Sequence, residues 1–162
     1  VDEIVGVNRI FSDLSPDLVL NLEEEVKSVL SDFRKGNMAN RNKKIGKWGE
    51  DLAAVYLEEK GYLILDRNVY TSYGEIDIIT LQEDDNEKYL VFVEVKTRTT
   101  LEFGNPEDAV TRQKQEHLLA AIETYLQDNP ELDYPWRVDV IAIQKLSVGN
   151  PTDIQHFESV FS

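Results

Sequence analysis

The sequence predicts a mixed α/β fold, a sheet of four to five strands flanked by helices, and three observations predict it. Strand-like runs rich in Ile, Val, Phe and Tyr lie at 62–70, 75–81, 88–97 and 136–144, with a further short run at 154–161. Apolar residues at helical spacing occupy 46–59 and about 105–127. The resulting order is helix, three strands, helix, one or two strands, which folds as a sheet with helices packed on it.

Residues 1–43 read as an extension and basic linker, and residues 44–162 as the main domain. Within the extension, Ser15-Pro16-Asp17 is a helix start: Ser as N-cap, Pro at the first helical position, Asp at the positive end of the dipole. Leu18, Leu22, Val26, Val29 and Phe33 then follow helical spacing, and Gly36 closes the helix. This amphipathic helix must bury its stripe against the main domain or a second copy, and the second case makes a homodimer. Met38 is a candidate alternative translation start. From Arg34 to Lys47 the chain carries Arg34, Lys35, Arg41, Lys43, Lys44 and Lys47 and no acid. That run is either a solvated linker or a phosphate-contacting arm.

The first helix of the main domain is expected over Gly46–Glu59, ended by Gly61, with Gly46 and Gly49 permitting close helix–sheet approach. Tyr62–Tyr70 follows as a strand. The next two strands form a hairpin about the polar run Gln82-Glu83-Asp84-Asp85-Asn86-Glu87. Thr99–Gly104 is a loop, and Asn105-Pro106-Glu107-Asp108 caps a long helix that Asn129-Pro130 stops. Trp136–Gln144 and Ile154–Phe161 complete the sheet.

Composition bounds the function. A chain of 162 residues, 41% hydrophobic and 30% charged, suits one soluble globular domain. The absence of Cys excludes disulfides and thiolate-bound zinc. No apolar run approaches the ~20 residues that span a bilayer, and the N-terminus lacks a signal peptide's basic start and apolar stretch. A cytoplasmic location with no membrane partner is the expectation. A net charge of −14 argues against broad electrostatic attachment to nucleic acid.

The chemistry concentrates in the hairpin. Folded symmetrically about Asp85–Asn86, Leu81 opposes Leu90, Ile79 opposes Phe92, Asp77 opposes Glu94 and Glu75 opposes Lys96. Directly opposed side chains sit roughly 5 Å apart at Cβ. Two carboxylates therefore face each other on an apolar hairpin and repel, and a divalent cation between them would relieve the conflict. Val91, Val93 and Val95 point to one face of the second strand; Phe92, Glu94 and Lys96 point to the other. An exposed Glu75–Lys96 ion pair is the plain alternative, but Ile79 and Phe92 on that face argue for burial. Glu50 lies on one helical stripe with Ala53, Ala54 and Leu57 and supplies a third inward carboxylate. Lys114 lies between Val110 and Leu118 on an inward stripe, either snorkelling past the core edge or contacting phosphate. Hard oxygen ligands select Mg²⁺ or Mn²⁺. Such an ion beside a lysine suits phosphodiester hydrolysis. His117 and His156 are too few and too far apart in sequence to suggest a ligand cluster, and serine-triad, P-loop and dinucleotide signatures are absent.

Asp on one strand, Glu-x-Lys on the next and Glu on a preceding helix resemble the PD-(D/E)xK nuclease superfamily. More closely, the chain resembles the YraN-like family of small bacterial proteins. The matching pieces are Gly46-Lys47-Trp48-Gly49-Glu50 with Ala53, Gly61-Tyr62, Arg67-Asn68, Gly74-Glu75-Ile76-Asp77-Ile78-Ile79, Phe92-Val93-Glu94-Val95-Lys96-Thr97-Arg98, Phe103-Gly104, Lys114 and Arg137-Val138-Asp139-Val140. The resemblance implies a restriction-endonuclease-like core with Glu50, Asp77, Glu94 and Lys96 as the catalytic tetrad. Ile76 stands where the superfamily name has Pro. The expectation is a nuclease dependent on Mg²⁺ or Mn²⁺, held by Asp77, Glu94 and Glu50, acting on DNA that is branched or damaged. Lys43, Lys44, Lys47, Arg98 and Lys114 are the expected nucleic-acid contacts. Two other readings stand beside it: a non-catalytic nucleic-acid-binding partner in DNA processing, and an acidic protein-interaction module, which the charge of −14 favours.

Overall fold

The computed structural model describes residues 38–84, 87–98, 111–144 and 153–161, with side chains for 42–83, 87–97, 111–144 and 153–160. The N-terminal helix expected over 15–36, the turn at Asp85–Asn86, the loop 99–104 and the cap at Asn105-Pro106 lie outside the described residues. The elements are α1 (Met38–Glu59), β1 (Leu63–Tyr70), β2 (Glu75–Asp84), β3 (Glu87–Arg98), α2 (Arg112–Asp128), β4 (Trp136–Gln144) and β5 (Asp153–Phe161).

Helix α1 begins at Met38 rather than near Gly46. Its first turns hold Ala, Arg and Lys, good helix formers, and among the described side chains the buried stripe starts at Ile45. Hydrophobic periodicity therefore could not register those turns. The helix ends as expected at Gly61, whose φ of 87° places it in the left-handed region. Gly61 N–H donates to the Glu58 carbonyl at 2.9 Å and Tyr62 N–H to the Leu57 carbonyl at 3.0 Å, a Schellman closure with Tyr62 and Leu57 both buried. Helix α2 corrects the sequence reading at its start. Thr111 is extended (φ −60°, ψ 153°) and caps the helix, its Oγ1 accepting from Lys114 N–H at 3.3 Å. A helix opened by Asn105-Pro106 therefore cannot run unbroken to Gln127.

The five strands form one mixed sheet in the order β1-β2-β3-β4-β5. Neighbours are antiparallel except β3 and β4, which run parallel with α2 in the crossover between them. The β2–β3 register is the one expected, Leu81 opposite Leu90 and Ile79 opposite Phe92. One face carries Ile78, Val91, Val93, Ile141 and Ile143 and packs on Trp48, Leu52, Ala53 and Leu57 of α1. The other carries Ile79, Leu90, Phe92 and Val138 and packs on Leu118, Ala121, Ile122 and Tyr125 of α2. The alternation on β3 is thus as the valine row predicted, and Glu94 and Lys96 fall on the α2 side.

Of the two glycines expected to admit α1 to the sheet, only Gly49 does so. A Cβ there would lie 1.8 Å from Thr97 Oγ1 and 3.1 Å from Thr97 Cβ, whereas one at Gly46 would meet nothing within 4 Å. The close approach falls beside Glu50 on the helix and Lys96 on the strand.

Candidate functional site

The site lies where β2 parts from β3. Their ladder ends at Ile78–Val93, while β2 continues along β1 through Val69–Ile76 and Tyr70–Glu75. Beyond the ladder, Val95 N–H donates to Asp77 Oδ2 at 2.7 Å, so a carboxylate takes the place of a backbone carbonyl. The side-chain alternation slips here too: Ile76 and Ile79 share the core under α2, and Ile78 lies under α1. The regular Asp77–Glu94 and Glu75–Lys96 cross-strand pairing expected from sequence symmetry is thereby corrected. Two acids held face to face would repel, and the Val95 amide offers Asp77 a donor instead. Lys96 turns to Glu94, and Glu75 pairs with Tyr70.

Glu94 is 2% exposed. Its Oε1 accepts from Lys96 Nζ at 2.5 Å and from Lys114 Nζ, so two ammonium groups converge on one buried carboxylate oxygen. Lys114 belongs to the first turn of α2, where a cation opposes the helix dipole; its bond to Glu94 offsets that cost. The two lysines respond differently. Lys96 is the more enclosed, with its side chain 22% exposed against 47% for Lys114. Burial accordingly holds Lys96 below the ordinary lysine range despite the pull of Glu94. For Lys114 burial works the same way, but its hydrogen bond to Glu94 prevails and raises it.

Asp77 shows where the site remains uncompensated. Burial first, then the charge of Glu94, push its carboxyl up to about 7; the Val95 hydrogen bond opposes this, and Glu50 adds to the rise. Glu50, half-buried on α1, accepts from Asn68 Nδ2 at 2.7 Å. Asn68 has a φ of 50°, the left-handed conformation that asparagine adopts more readily than most side-chain-bearing residues, and it orients an acid of the site. Sequence spacing assigns Asn68 no role. Asparagine's tolerance of this region is the signal that was present. Among the described residues, no three carboxylate or imidazole groups gather as a closed metal cage. Asp77 and Glu94 are the pair of hard oxygen donors that a small divalent ion would take, and the raised Asp77 marks a local excess of negative charge that such an ion would relieve.

The basic residues are distributed unevenly. Lys114 joins the site directly. Lys43 is exposed on α1 and Lys44 half-buried. Lys47 is ion-paired to Asp51 at 2.7 Å, and Asp51 also holds Arg67 at 2.5 Å. The side chain of Arg98 lies outside the described residues.

A second polar cluster occupies the opposite, α1 face. Fully buried Asp139 accepts from Arg137 Nε at 3.0 Å and from Ser159 N–H at 2.9 Å, and lies 2.9 Å from His156 Nε2; Arg137 also donates to Tyr62 Oη at 3.1 Å. Burial raises the Asp139 carboxyl, but the hydrogen bonds from His156, Arg137 and Ser159 prevail and hold it below the usual carboxylate range. Sequence spacing set His156 aside because its partner lies on a neighbouring strand. The cluster ties β5 to β4 and does not open on the Glu94 site.

Residues 49–143 match the profile of the family described as "Uncharacterised protein family UPF0102". A UPF0102 protein of Syntrophomonas wolfei is 44% identical over 120 residues, covering 74% of this chain and 99% of the relative. One from Alkaliphilus oremlandii is 45% identical over 122 residues, 74% and 99% of the two chains. One from Geobacter sulfurreducens is 44% identical over 126 residues, 78% and 94%. The mixed five-stranded sheet, the Asp, Glu-x-Lys and helical Glu set, and these matches together make the chain a member of the UPF0102 (YraN-like) family, of the restriction-endonuclease-like superfamily.

Proposed function

We propose that this protein is a divalent-metal-dependent nuclease that hydrolyses phosphodiester bonds in DNA with branched or damaged structure. One observation carries the reading: at the fork between β2 and β3, Lys96 and Lys114 both bind the buried carboxylate of Glu94, and Asp77 is held beside them by the Val95 amide. Two cations on Glu94 beside an acid of raised pKa suit a site whose charges rearrange when substrate arrives.

Asp77 and Glu94 are the residues that would hold Mg²⁺ or Mn²⁺, with Glu50 behind them. When bound, the ion supplies a more acidic water and offsets charge on the pentacoordinate phosphate. The remaining work belongs to the side chains. Lys96, held by Glu94, would place positive charge against the developing oxyanion. Lys114, half-exposed, is free to swing from Glu94 to a phosphate oxygen. Asn68 fixes Glu50, and the Val95 amide fixes Asp77.

The test is cleavage of single-stranded, duplex, flap and four-way-junction substrates with Mg²⁺ and with Mn²⁺, together with separate binding titrations. The expected outcome is metal-dependent cutting that Lys96→Ala removes by about a hundredfold or more while binding persists, because its charge acts in the transition state. Equal loss of binding and cleavage would make Lys96 a phosphate anchor and favour a non-catalytic nucleic-acid-binding partner.

A further inference from the structure

We propose that Tyr70 and Tyr73 form a stacking rim for unpaired nucleobases at the edge of the Asp77–Glu94 site, so that the strand engaged there is single-stranded. The inference rests on the nucleic-acid reading above and specifies which structural class of substrate the site takes.

The large hydrophobic side chains exposed among the described residues are Leu63, Tyr70 and Tyr73, and the two tyrosines are 75% and 55% exposed. Neither belongs to the core under α1 or α2. Both flank the turn from β1 to β2, which delivers the chain to Asp77. Tyr70 lies directly opposite Glu75. Two residues earlier on β1, Asn68 holds Glu50, and two residues beyond Glu75 on β2 stands Asp77. The ring therefore stands at the margin of the acidic site.

The turn that presents the rings is braced. Thr71 Oγ1 accepts from Tyr73 N–H at 3.1 Å and from Gly74 N–H at 3.2 Å, and Thr71 N–H donates to the Gly74 carbonyl at 2.9 Å. A backbone held this way need not be ordered on binding.

Energetics select the ligand. A chain of net charge −14 cannot draw affinity for nucleic acid from broad phosphate attraction. Stacking of a base on an aromatic ring supplies about 1–3 kcal/mol without charge. Bases inside a duplex are already stacked on their neighbours, so the rim rewards unpaired ones.

Anisotropy titrations test this with a fluorescein-labelled oligothymidylate, an abasic strand of equal length and a blunt duplex, each in EDTA and in Ca²⁺. The wild type should prefer the base-bearing strand to the abasic one. Tyr70→Ala and Tyr73→Ala should each weaken oligothymidylate binding by about fivefold to a hundredfold and leave abasic binding unchanged, whereas Tyr70→Phe and Tyr73→Phe should bind as the wild type does. Alanine variants that bind oligothymidylate normally, or that lose abasic and base-bearing strands equally, would overturn the proposal. So would alanine variants that alter only self-association in sedimentation, which would make the rings an edge between copies. Metal-dependent cleavage by the same proteins separates the two readings. Cleavage insensitive to the tyrosines sinks the rim alone; a wild type that binds no nucleic acid sinks both.

Discussion

Asp77 is the residue whose charge state matters most to this domain. Its carboxyl, ordinarily near 3.8, rises to about 7 because it is buried and faces Glu94. Between about pH 4 and pH 7 the folded protein keeps a proton that the unfolded chain has released, so stability falls as pH climbs through that window. Asp77→Asn retains an acceptor for the Val95 amide and removes the charge. We expect it to flatten that slope, to raise the melting temperature in EDTA above neutral pH, and to abolish stabilisation by Mg²⁺ or Mn²⁺, which should protect the wild type by mass action. Melts at about pH 5 and about pH 8, with and without metal, measure all three; a lower melting temperature for the variant would make Asp77 a structural hydrogen-bonding residue. That Asp77, Glu94 and Lys96 belong to one site was legible because charged residues stand out on strands otherwise made of Ile, Val and Phe. The role of Asn68 was not, because a backbone φ leaves no mark on hydrophobic pattern. Nor was the turn of Asp77 toward Val95: symmetry of a hairpin predicts register but not where a ladder opens.

Among the elements, α1 and β3 meet most tightly, at Gly49. Gly49→Ala should raise helix propensity by about 1 kcal/mol, yet its Cβ would collide with the whole Thr97 side chain. Overpacking of that kind costs about 1–3 kcal/mol, so the variant should be less stable in urea. Adding Thr97→Gly should recover part of the loss, and additivity of the two changes would show that they do not touch. Strand β5 depends on a different device. Asp139→Ala would leave the Arg137 guanidinium, only 16% exposed, with Glu158 at 3.5 Å as its one remaining carboxylate among the described residues, and should cost up to about 3 kcal/mol. Because the Asp139 pKa is depressed, its contribution is present above about pH 4 and is lost as pH falls through the folded value. Acid titration of wild type and variant should therefore converge at low pH. Strand limits were read closely from sequence, Trp136–Gln144 among them, since turn residues and β-branched runs mark them locally. Helix starts were read worse: the first turns of α1, Met38-Ala39-Asn40-Arg41-Asn42-Lys43-Lys44, carry no helical apolar period, and α2 is capped at Thr111 with no apolar signal.

At the scale of the molecule, the described core begins in α1, and relatives of almost full length align with only 74% of this chain. Removal of residues 1–37 should thus leave a cooperatively unfolding domain with an unchanged urea slope; a broadened transition would place Leu18, Leu22 and Val26 in the main core. Electrostatics at this scale restrict contact to a few cations, so the salt dependence of any nucleic-acid binding should be shallow. The parallel pairing of β3 with β4 also has a kinetic meaning. The β2–β3 hairpin closes over a short loop, which takes microseconds, and it delivers Asp77 and Glu94 together. Lys114 arrives only with the crossover, whose strand partners are distant in sequence and so pair late. For an interval in refolding, the two acids stand near each other without that second ammonium group. Refolding should consequently speed up as falling pH protonates the two acids, whereas Lys114→Met should act mainly by hastening unfolding if its bond to Glu94 forms after the rate-limiting step.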